Sequence, residues 1–218
     1  MIELSGLTVV YGRTRALDSV TLTLHDGVTG LFGPNGAGKS TLLRVLAGLL
    51  RPTAGRVTYD GAELSATDES FRARVGYAGH APGLYGRLTV RENLELFARL
   101  HGAPAANVDD VLARLGLEGL AATRVHELSA GFTRRAAVAR ALVHEPDLLL
   151  LDEPYANLDD DAAELLSETV VAWRQPGRCA VIATHGAKRV KAFADASLIL
   201  KRGTPVSYRR RVEAGTGG

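Results

Sequence analysis

Residues 33–41 read Gly-Pro-Asn-Gly-Ala-Gly-Lys-Ser-Thr and fit the phosphate-binding pattern G-x-x-x-x-G-K-[S/T] in full. Backbone N–H groups of such a loop can surround a phosphate, and its glycines leave room for phosphate oxygens. The Lys39 ammonium would contact the β- and γ-phosphates, and the Ser40 hydroxyl would bind Mg²⁺. The pattern therefore predicts a nucleotide site whose contacts come from Gly33, Asn35, Gly36, Gly38, Lys39, Ser40 and Thr41.

Two acids, Asp152 and Glu153, directly follow four consecutive leucines at residues 148–151. An apolar run of this length predicts a strand buried on both faces, and open α/β sheets bind ligands at the carboxyl ends of such strands. Beside a phosphate loop, Asp152 is placed to hold Mg²⁺ or its waters. Glu153 is placed to orient or deprotonate the attacking water. Without the loop, the pair would more simply cap the next turn.

The elements that must position these residues alternate between strand and helix. Residues 28–32 predict a strand before the phosphate loop, and apolar residues at helical spacing predict a helix over 42–50 after it. The alternation resumes with a helix over 159–173 and a strand over 180–184, which indicates a mainly parallel α/β core. Residues 83–143 read instead as a helical block. Its first helix opens at a Thr89 to Glu92 capping box and ends at Gly102, a second runs over about 107–116, and a third runs from about Arg134 to Val143.

The composition narrows the class of protein. A length of 218 residues fits one domain, and a net charge of +2 makes no case for nucleic-acid binding. The basic run that includes residues 209–211 is typical of a solvated tail, with anionic lipid as the alternative partner. One cysteine, Cys179, fits a reducing compartment. We see no secretory signal and no apolar stretch of about 20 residues, so we expect a cytoplasmic chain that reaches a membrane only through a partner.

The stretch Leu128-Ser129-Ala130-Gly131, followed by Arg134, Arg135, Ala139 and Arg140, resembles the LSGGQ-type signature of ATP-binding cassette (ABC) ATPases. Together with the phosphate loop, the Asp152-Glu153 strand end and Thr184-His185, the resemblance covers essentially the whole chain. It implies ATP hydrolysis with ATP and Mg²⁺ as cofactors. The implied fold is α/β, with a RecA-like phosphate-loop NTPase core, an antiparallel β subdomain and an inserted helical subdomain. Residues 1–218 would form one domain, with 1–82 and 144–218 as the core and 83–143 as the helical subdomain.

The resemblance also assigns roles to single residues. Tyr11 falls where the family stacks an aromatic ring on adenine, although a plain strand-end tyrosine is the alternative. His185 falls where the family has a histidine that contacts the γ-phosphate, so Lys39, Glu153 and His185 would form the catalytic set. A purely structural histidine is the alternative.

Two further positions imply a second subunit. Ser129 and the Gly131 backbone would contact the γ-phosphate of ATP bound to another ATPase subunit, which requires a head-to-tail dimer. The stretch Asn157-Leu158-Asp159 matches the loop that crosses this interface, and Asp159 would also serve as the N-cap of the next helix.

Two positions depart from the family pattern. His80 stands where most relatives carry a glutamine that reaches the metal and couples the site to the membrane subunit. Residues 79–84 (Gly-His-Ala-Pro-Gly-Leu) resemble the ATP-binding subunit of the haem exporter of cytochrome c biogenesis. A lineage-specific replacement of glutamine with no bearing on cargo is the alternative. Phe132 stands where the signature usually has a polar residue.

These features favour the ATPase subunit of an ABC exporter at the cytoplasmic face of the cell membrane. Integral membrane permease subunits would dock near residues 78–85, and no nucleic-acid partner is expected. The cargo would be haem or, alternatively, a drug, ion or polysaccharide. A cassette ATPase acting on nucleic acid or ribosomes is less favoured, because the chain lacks coiled-coil insertions and a strongly basic surface. An ATP-binding module without turnover is disfavoured by Lys39, Glu153 and His185.

Overall fold

The computed structural model describes residues 1–63 and 69–211, which form ten strands and seven α-helices. The strands are β1 (Ile2–Tyr11), β2 (Thr14–Leu24), β3 (Gly27–Phe32), β4 (Ala54–Tyr59), β5 (Ala62–Glu63), β6 (Val75–Ala78), β7 (Leu148–Asp152), β8 (Cys179–Ala183), β9 (Ala196–Lys201) and β10 (Thr204–Arg210). The helices are α1 (Lys39–Leu46), α2 (Glu69–Ala73), α3 (Val90–Leu100), α4 (Ala106–Arg114), α5 (Ala130–Leu142), α6 (Asp160–Trp173) and α7 (Ala187–Phe193).

The strands form two sheets. A four-stranded antiparallel sheet has the order β2-β1-β4-β5, and a six-stranded sheet has the order β10-β9-β3-β8-β7-β6. In the larger sheet all neighbours run parallel except β10, which pairs antiparallel with β9 at the edge. The predicted α/β fold with a parallel core and an antiparallel β portion is therefore confirmed.

The leucines of β7 show how the parallel sheet is buried. All five residues of β7 are buried, as the apolar run predicts. Leu149 and Leu151 belong to the apolar cluster that includes α3, α4 and α5, whereas Leu148 and Leu150 belong to the cluster beneath α1 and the antiparallel sheet. Successive side chains point to opposite faces of a strand, so one strand joins both cores.

Two helix limits differ from the sequence prediction. Helix α1 ends at Leu46 instead of continuing to residue 50, because Gly48 takes a left-handed φ of 68° and the Leu49 and Leu50 amides turn back to the Arg44 carbonyl. Helix α5 begins at Ala130, four residues before the predicted start at Arg134, because Ser129 is its N-cap and accepts from the Phe132 amide at 3.4 Å.

The remaining predicted helices form close to their expected limits. Helix α3 opens with the predicted capping box, in which the Thr89 hydroxyl and the Glu92 carboxylate each accept from the other's backbone amide. Helices α3, α4 and α5 make up the helical block between β6 and β7. Among the described residues, no helix combines the length and apolar character that a membrane span needs.

Candidate functional site

The phosphate loop joins β3 to α1 and relies on three left-handed glycines. Gly33, Gly36 and Gly38 have φ values of 148°, 75° and 103°. A Cβ on Gly33 would lie 2.3 Å from the Leu200 carbonyl oxygen, and one on Gly38 would lie 2.4 Å from that of Ala16. A Cβ on Gly36 would meet nothing within 4 Å. Packing therefore requires glycine at two positions, whereas Gly36 borders open space.

Lys39 begins α1 and lies inside the loop. Its side chain is buried, and Nζ donates to the Gly33 and Pro34 carbonyls at 2.8 and 3.2 Å. None of the hydrogen bonds in the described part of the chain uses the backbone N–H groups of Gly36, Gly38, Lys39 or Ser40. A cation and several free amides at a helix N-terminus suit a polyphosphate, so the loop fits ATP.

Asp152 ends β7 at the same carboxyl edge of the sheet that carries the loop. Only 3% of the residue is exposed, and no hydrogen bond or ion pair engages its carboxylate within residues 1–63 and 69–211. The described residues hold no group of three or more His, Cys, Asp or Glu side chains that could bind a metal ion by themselves. One carboxylate and the Ser40 hydroxyl, with phosphate and water oxygens, suit the few protein ligands that Mg²⁺ takes.

Glu153 and His185 meet directly at this edge. The Glu153 Oε1 accepts from the His185 amide at 3.0 Å, and Oε2 lies 3.0 Å from the ring Nδ1. The Glu153 amide bonds the Ala183 carbonyl at 2.8 Å, and its φ of 50° is left-handed. The two predicted catalytic residues, 32 positions apart, thus come together because β7 and β8 pair with Asp152 opposite Ala183.

Tyr11 ends β1 beside the loop. It pairs with Thr14 across a tight turn, and 45% of it is exposed to solvent. Two residues beyond Thr14, the Ala16 carbonyl packs on Gly38 of the phosphate loop. The antiparallel sheet therefore brings Tyr11 near the phosphate site, which suits an aromatic platform for a base.

Ser129 and Gly131 lie at the amino end of α5, whereas the phosphate loop precedes α1. Ser129 caps α5, and a Cβ on Gly131 would lie 2.8 Å from the Asn157 carbonyl oxygen. Asn157 itself is left-handed, with φ of 64°, and Asp159 caps α6 by accepting from the Ala162 amide at 2.8 Å. The signature residues and the residue 157–159 loop therefore form one surface of the molecule.

His80 is exposed and lies beyond the end of β6, the strand next to β7. Ala78 pairs with Leu151, so His80 reaches the edge that Asp152 also occupies. The Arg134 guanidinium bonds the His80 carbonyl, a structural role that the sequence analysis did not predict. No pattern in the sequence points to that contact, because it joins residues 54 positions apart.

A groove of about 1160 Å³ opens beside Glu153 and His185, between α6 and α7. Tyr155 lines it, and burial raises the pKa of this phenol to about 12, so it stays neutral and hydrogen-bonds Ser167 at 3.2 Å. Arg189 spans the groove by pairing with Asp160 and Glu164.

Comparison with known proteins places this geometry in a family. Residues 17–156 match the family model described as ABC transporter. The chain is 34% identical over 206 residues to the ABC transporter ATP-binding protein NatA of Bacillus subtilis, which covers 92% of this chain and 83% of that protein. It is 34% identical over 214 residues to the Nod factor export ATP-binding protein I of Rhizobium johnstonii, which covers 96% and 69%.

Solved structures resemble the fold closely. The dimeric structure of MJ0796, a bacterial ABC transporter cassette, superposes with a TM-score of 0.87 at 28% identity and covers 98% of this chain and all of that one. The same cassette in a post-hydrolysis state bound to ADP and Pi gives the same TM-score and identity, again with 98% of this chain and 100% of that one covered.

Proposed function

The chain belongs to the ABC transporter family, and we propose that it is the ATP-hydrolysing subunit of a transporter that exports its cargo across the cytoplasmic membrane. Cassettes of this family are ATPases that bind ATP with Mg²⁺, and this chain is such an ATP-binding subunit. One observation carries the hydrolytic role. Glu153 and His185 are bonded to each other at the sheet edge that also bears the phosphate loop and Asp152.

In the proposed site, each side chain has one task. The loop amides and Lys39 bind the phosphates, as the free N–H groups and the buried ammonium favour. Tyr11 stacks on adenine. Ser40 and Asp152 would hold Mg²⁺, which would supply positive charge beside the phosphates. His80 is proposed to reach the water shell of that ion from the end of β6.

The hydrolytic step is proposed for Glu153. Its carboxylate orients the attacking water and accepts its proton. The two hydrogen bonds from His185 hold the carboxylate in place, and the exposed imidazole is proposed to face the γ-phosphate. The left-handed backbone of Glu153 turns the chain sharply at the strand end, so that Asp152 and Glu153 can face different parts of the nucleotide.

A second copy is proposed to complete the site. Gly131 packs on the residue 157–159 loop, which supports a head-to-tail dimer in which Ser129 and Gly131 bind the γ-phosphate held by the other copy. MJ0796, with a TM-score of 0.87, was solved as a dimer.

Permease subunits are proposed to dock near residues 78–85 and to hold the cassette at the cytoplasmic face of the membrane. This proposal is supported by a groove lined by Leu49, Tyr77, Phe97 and His101. Leu49 lies at its rim and is 55% exposed. Beside it Tyr85, 57% exposed, stacks on Phe97. The proposed core (1–82 and 144–218) and helical subdomain (83–143) both line this groove, although parts of the core lie outside the described residues.

Export is supported by the relatives named for Nod factor export. The haem cargo is not supported by these relatives, which are named for NatA and for Nod factor export, and its one basis is the residue 79–84 stretch. We therefore propose an exporter of undefined cargo, and haem stays one candidate beside drugs, ions and polysaccharides. No observation on the described surface favours nucleic acid as a partner.

The proposed hydrolysis is tested with Glu153→Gln. We expect Mg²⁺-dependent turnover to fall about 100- to 10,000-fold, the range that a general base supplies, while ATP still induces a dimer that light scattering detects. Glu145→Gln is the matched control, because that carboxylate pairs with Arg178 away from the site. Wild-type turnover in Glu153→Gln would overturn the assigned role.

The transport part needs a separate experiment. The tagged chain, purified from its native membranes, should carry an integral membrane protein with it. A chain that comes without one contradicts the transporter assignment. Normal c-type cytochrome levels in cells carrying Glu153→Gln would exclude haem as the cargo.

A further inference from the structure

Two arginines of α5 hold the backbone at the end of β6. Arg134 Nη1 donates to the Gly79 carbonyl at 2.8 Å, and its Nη2 lies 3.4 Å from that of His80. Arg140 Nη2 donates to the Tyr77 carbonyl at 2.5 Å. No carboxylate pairs with either guanidinium in the described part of the chain. Their hydrogen bonds therefore go to main-chain carbonyls.

The same helix packs tightly on β6 along its length. His144, just after α5, lies 3.1 Å from the Val75 carbonyl through Nε2, and a Cβ on Gly76 would lie 2.1 Å from the Ala141 carbonyl oxygen. Contacts thus pair later residues of α5 with earlier residues of β6, so the helix runs antiparallel to the strand. Its amino end, with Ser129, projects past the carboxyl edge of the sheet.

We infer that Arg134 is a positioning residue that ties the His80 segment, residues 79–83, to the amino end of α5. Ser129 lies five residues before Arg134, about 7 Å along the helix axis, and a helix transmits displacement over that length as a rigid rod. A shift of the His80 segment therefore shifts Ser129 and Gly131 as well. This inference rests on the proposed function, in which the His80 segment meets the permease and Ser129 meets ATP.

The neighbouring Arg135 contacts a different part of the chain from Arg134. Its Nη1 donates to the Leu115 carbonyl at 3.0 Å, and its guanidinium lies 4.4 Å from the centre of the Phe132 ring. Arg135 therefore anchors α5 to the chain that follows α4, whereas Arg134 anchors it to the His80 segment. The two arginines fix two different sides of one helix, because consecutive helical residues project about 100° apart.

The geometry requires the arginine fork. Two carbonyls of successive residues are held by the two terminal nitrogens of one planar group. A lysine offers one ammonium on a flexible stem, and a glutamine is shorter and uncharged. We expect Arg134→Lys to keep part of the effect and Arg134→Gln to lose it.

Steady-state ATPase kinetics provide the first test. We expect Arg134→Gln to lower kcat about tenfold while KM for ATP changes less than about twofold, because the phosphate loop is untouched and the signature residues act after ATP binds. Arg134→Lys should fall between. Arg178→Gln is the matched control: it also loses a bond to a carbonyl, that of Trp173 at 3.2 Å, and should keep kcat within about twofold. An unchanged kcat in Arg134→Gln overturns the inference.

Hydrogen exchange supplies a readout that general destabilisation does not move. In a Glu153→Gln background, ATP should protect amides in both residues 79–84 and 129–133. With Arg134→Gln added, we expect ATP to protect 129–133 alone. Equal protection of both stretches overturns the inference.

Failure of the proposed function gives a different pattern, in which ATP protects neither stretch even with Arg134 present. The nucleotide-free protein still tests the tether in that case, because Arg134→Gln should speed exchange in 79–84 and Arg178→Gln should not. Equal exchange in both variants overturns it.

Discussion

Alanine substitutions at three left-handed glycines distinguish the role of packing in the phosphate loop from the role of its contacts with the ligand. Gly36, Gly38 and Gly61 have φ values of 75°, 103° and 82°. Each alanine costs about 1–2 kcal/mol because its Cβ crowds the left-handed backbone. A Cβ on Gly38 also lies 2.4 Å from the Ala16 carbonyl oxygen, whereas Gly36 and Gly61 have nothing within 4 Å. Overpacking adds about 1–3 kcal/mol to Gly38→Ala alone.

Thermal unfolding without nucleotide measures the packing part. In a chain of this size, 1 kcal/mol corresponds to about 2–4 °C in Tm. We expect Gly38→Ala to unfold about 2–12 °C below the other two variants, which should agree with each other. Equal Tm values for Gly38→Ala and Gly61→Ala would refute the packing argument.

Titration with ATP and Mg²⁺ measures the ligand part. A methyl group on Gly36 fills the open space beside the free amides, and it displaces phosphate oxygens from at least one charge-assisted hydrogen bond. Such a bond contributes about 1.5–3 kcal/mol, so ATP should bind about 10- to 100-fold more weakly to Gly36→Ala. Gly61→Ala, in the turn between β4 and β5, should bind as the wild type does. Wild-type affinity in Gly36→Ala would show that the phosphates lie elsewhere.

Three further predictions concern single side chains. Lys39→Met should weaken ATP binding about 10- to 100-fold by calorimetry, since the buried ammonium beside the Gly33 carbonyl is lost. Asn93→Ala should lower the free energy of unfolding in urea by about 3–5 kcal/mol, because this fully buried amide bonds both backbone groups of Tyr85. Burial, with the nearby His101, lowers the pKa of His144 to about 4. As pH falls below 6.5, this histidine therefore gains a proton only in the unfolded state. Between pH 7 and 5 the free energy of unfolding of the wild type should fall by about 2 kcal/mol more than that of His144→Phe.

The sequence predicted the strand–loop–helix of the phosphate site because its signals are local. Glycine spacing, an apolar run and a lysine at the helix start all lie within residues 28–50. The predicted end of α1 was four residues too late. Leu49 and Leu50 continue the apolar spacing, although Gly48 has already turned the chain. A left-handed glycine outweighs apolar periodicity once the following amides find acceptors.

The contact between Glu153 and His185 could not be read from the sequence. Each residue follows a short apolar run, but the register of β7 on β8 decides whether the side chains meet. A shift of one residue would turn these side chains to opposite faces. The Arg134 contacts could not be predicted from the sequence either, because they depend on how α5 packs on β6.

The strand order supports the proposal that a second copy completes the site. The phosphate loop follows β3, whereas α5 packs on β6, and β8 and β7 lie between these strands. At about 4.8 Å per strand, β6 lies about 14 Å from β3, and α5 covers its outer part. Gly131, two residues after Ser129, packs on the residue 157–159 loop at the far end of that span. A serine side chain reaches about 3 Å to a hydrogen-bond partner, so the strand order supports the proposal that Ser129 binds a γ-phosphate held by a second chain.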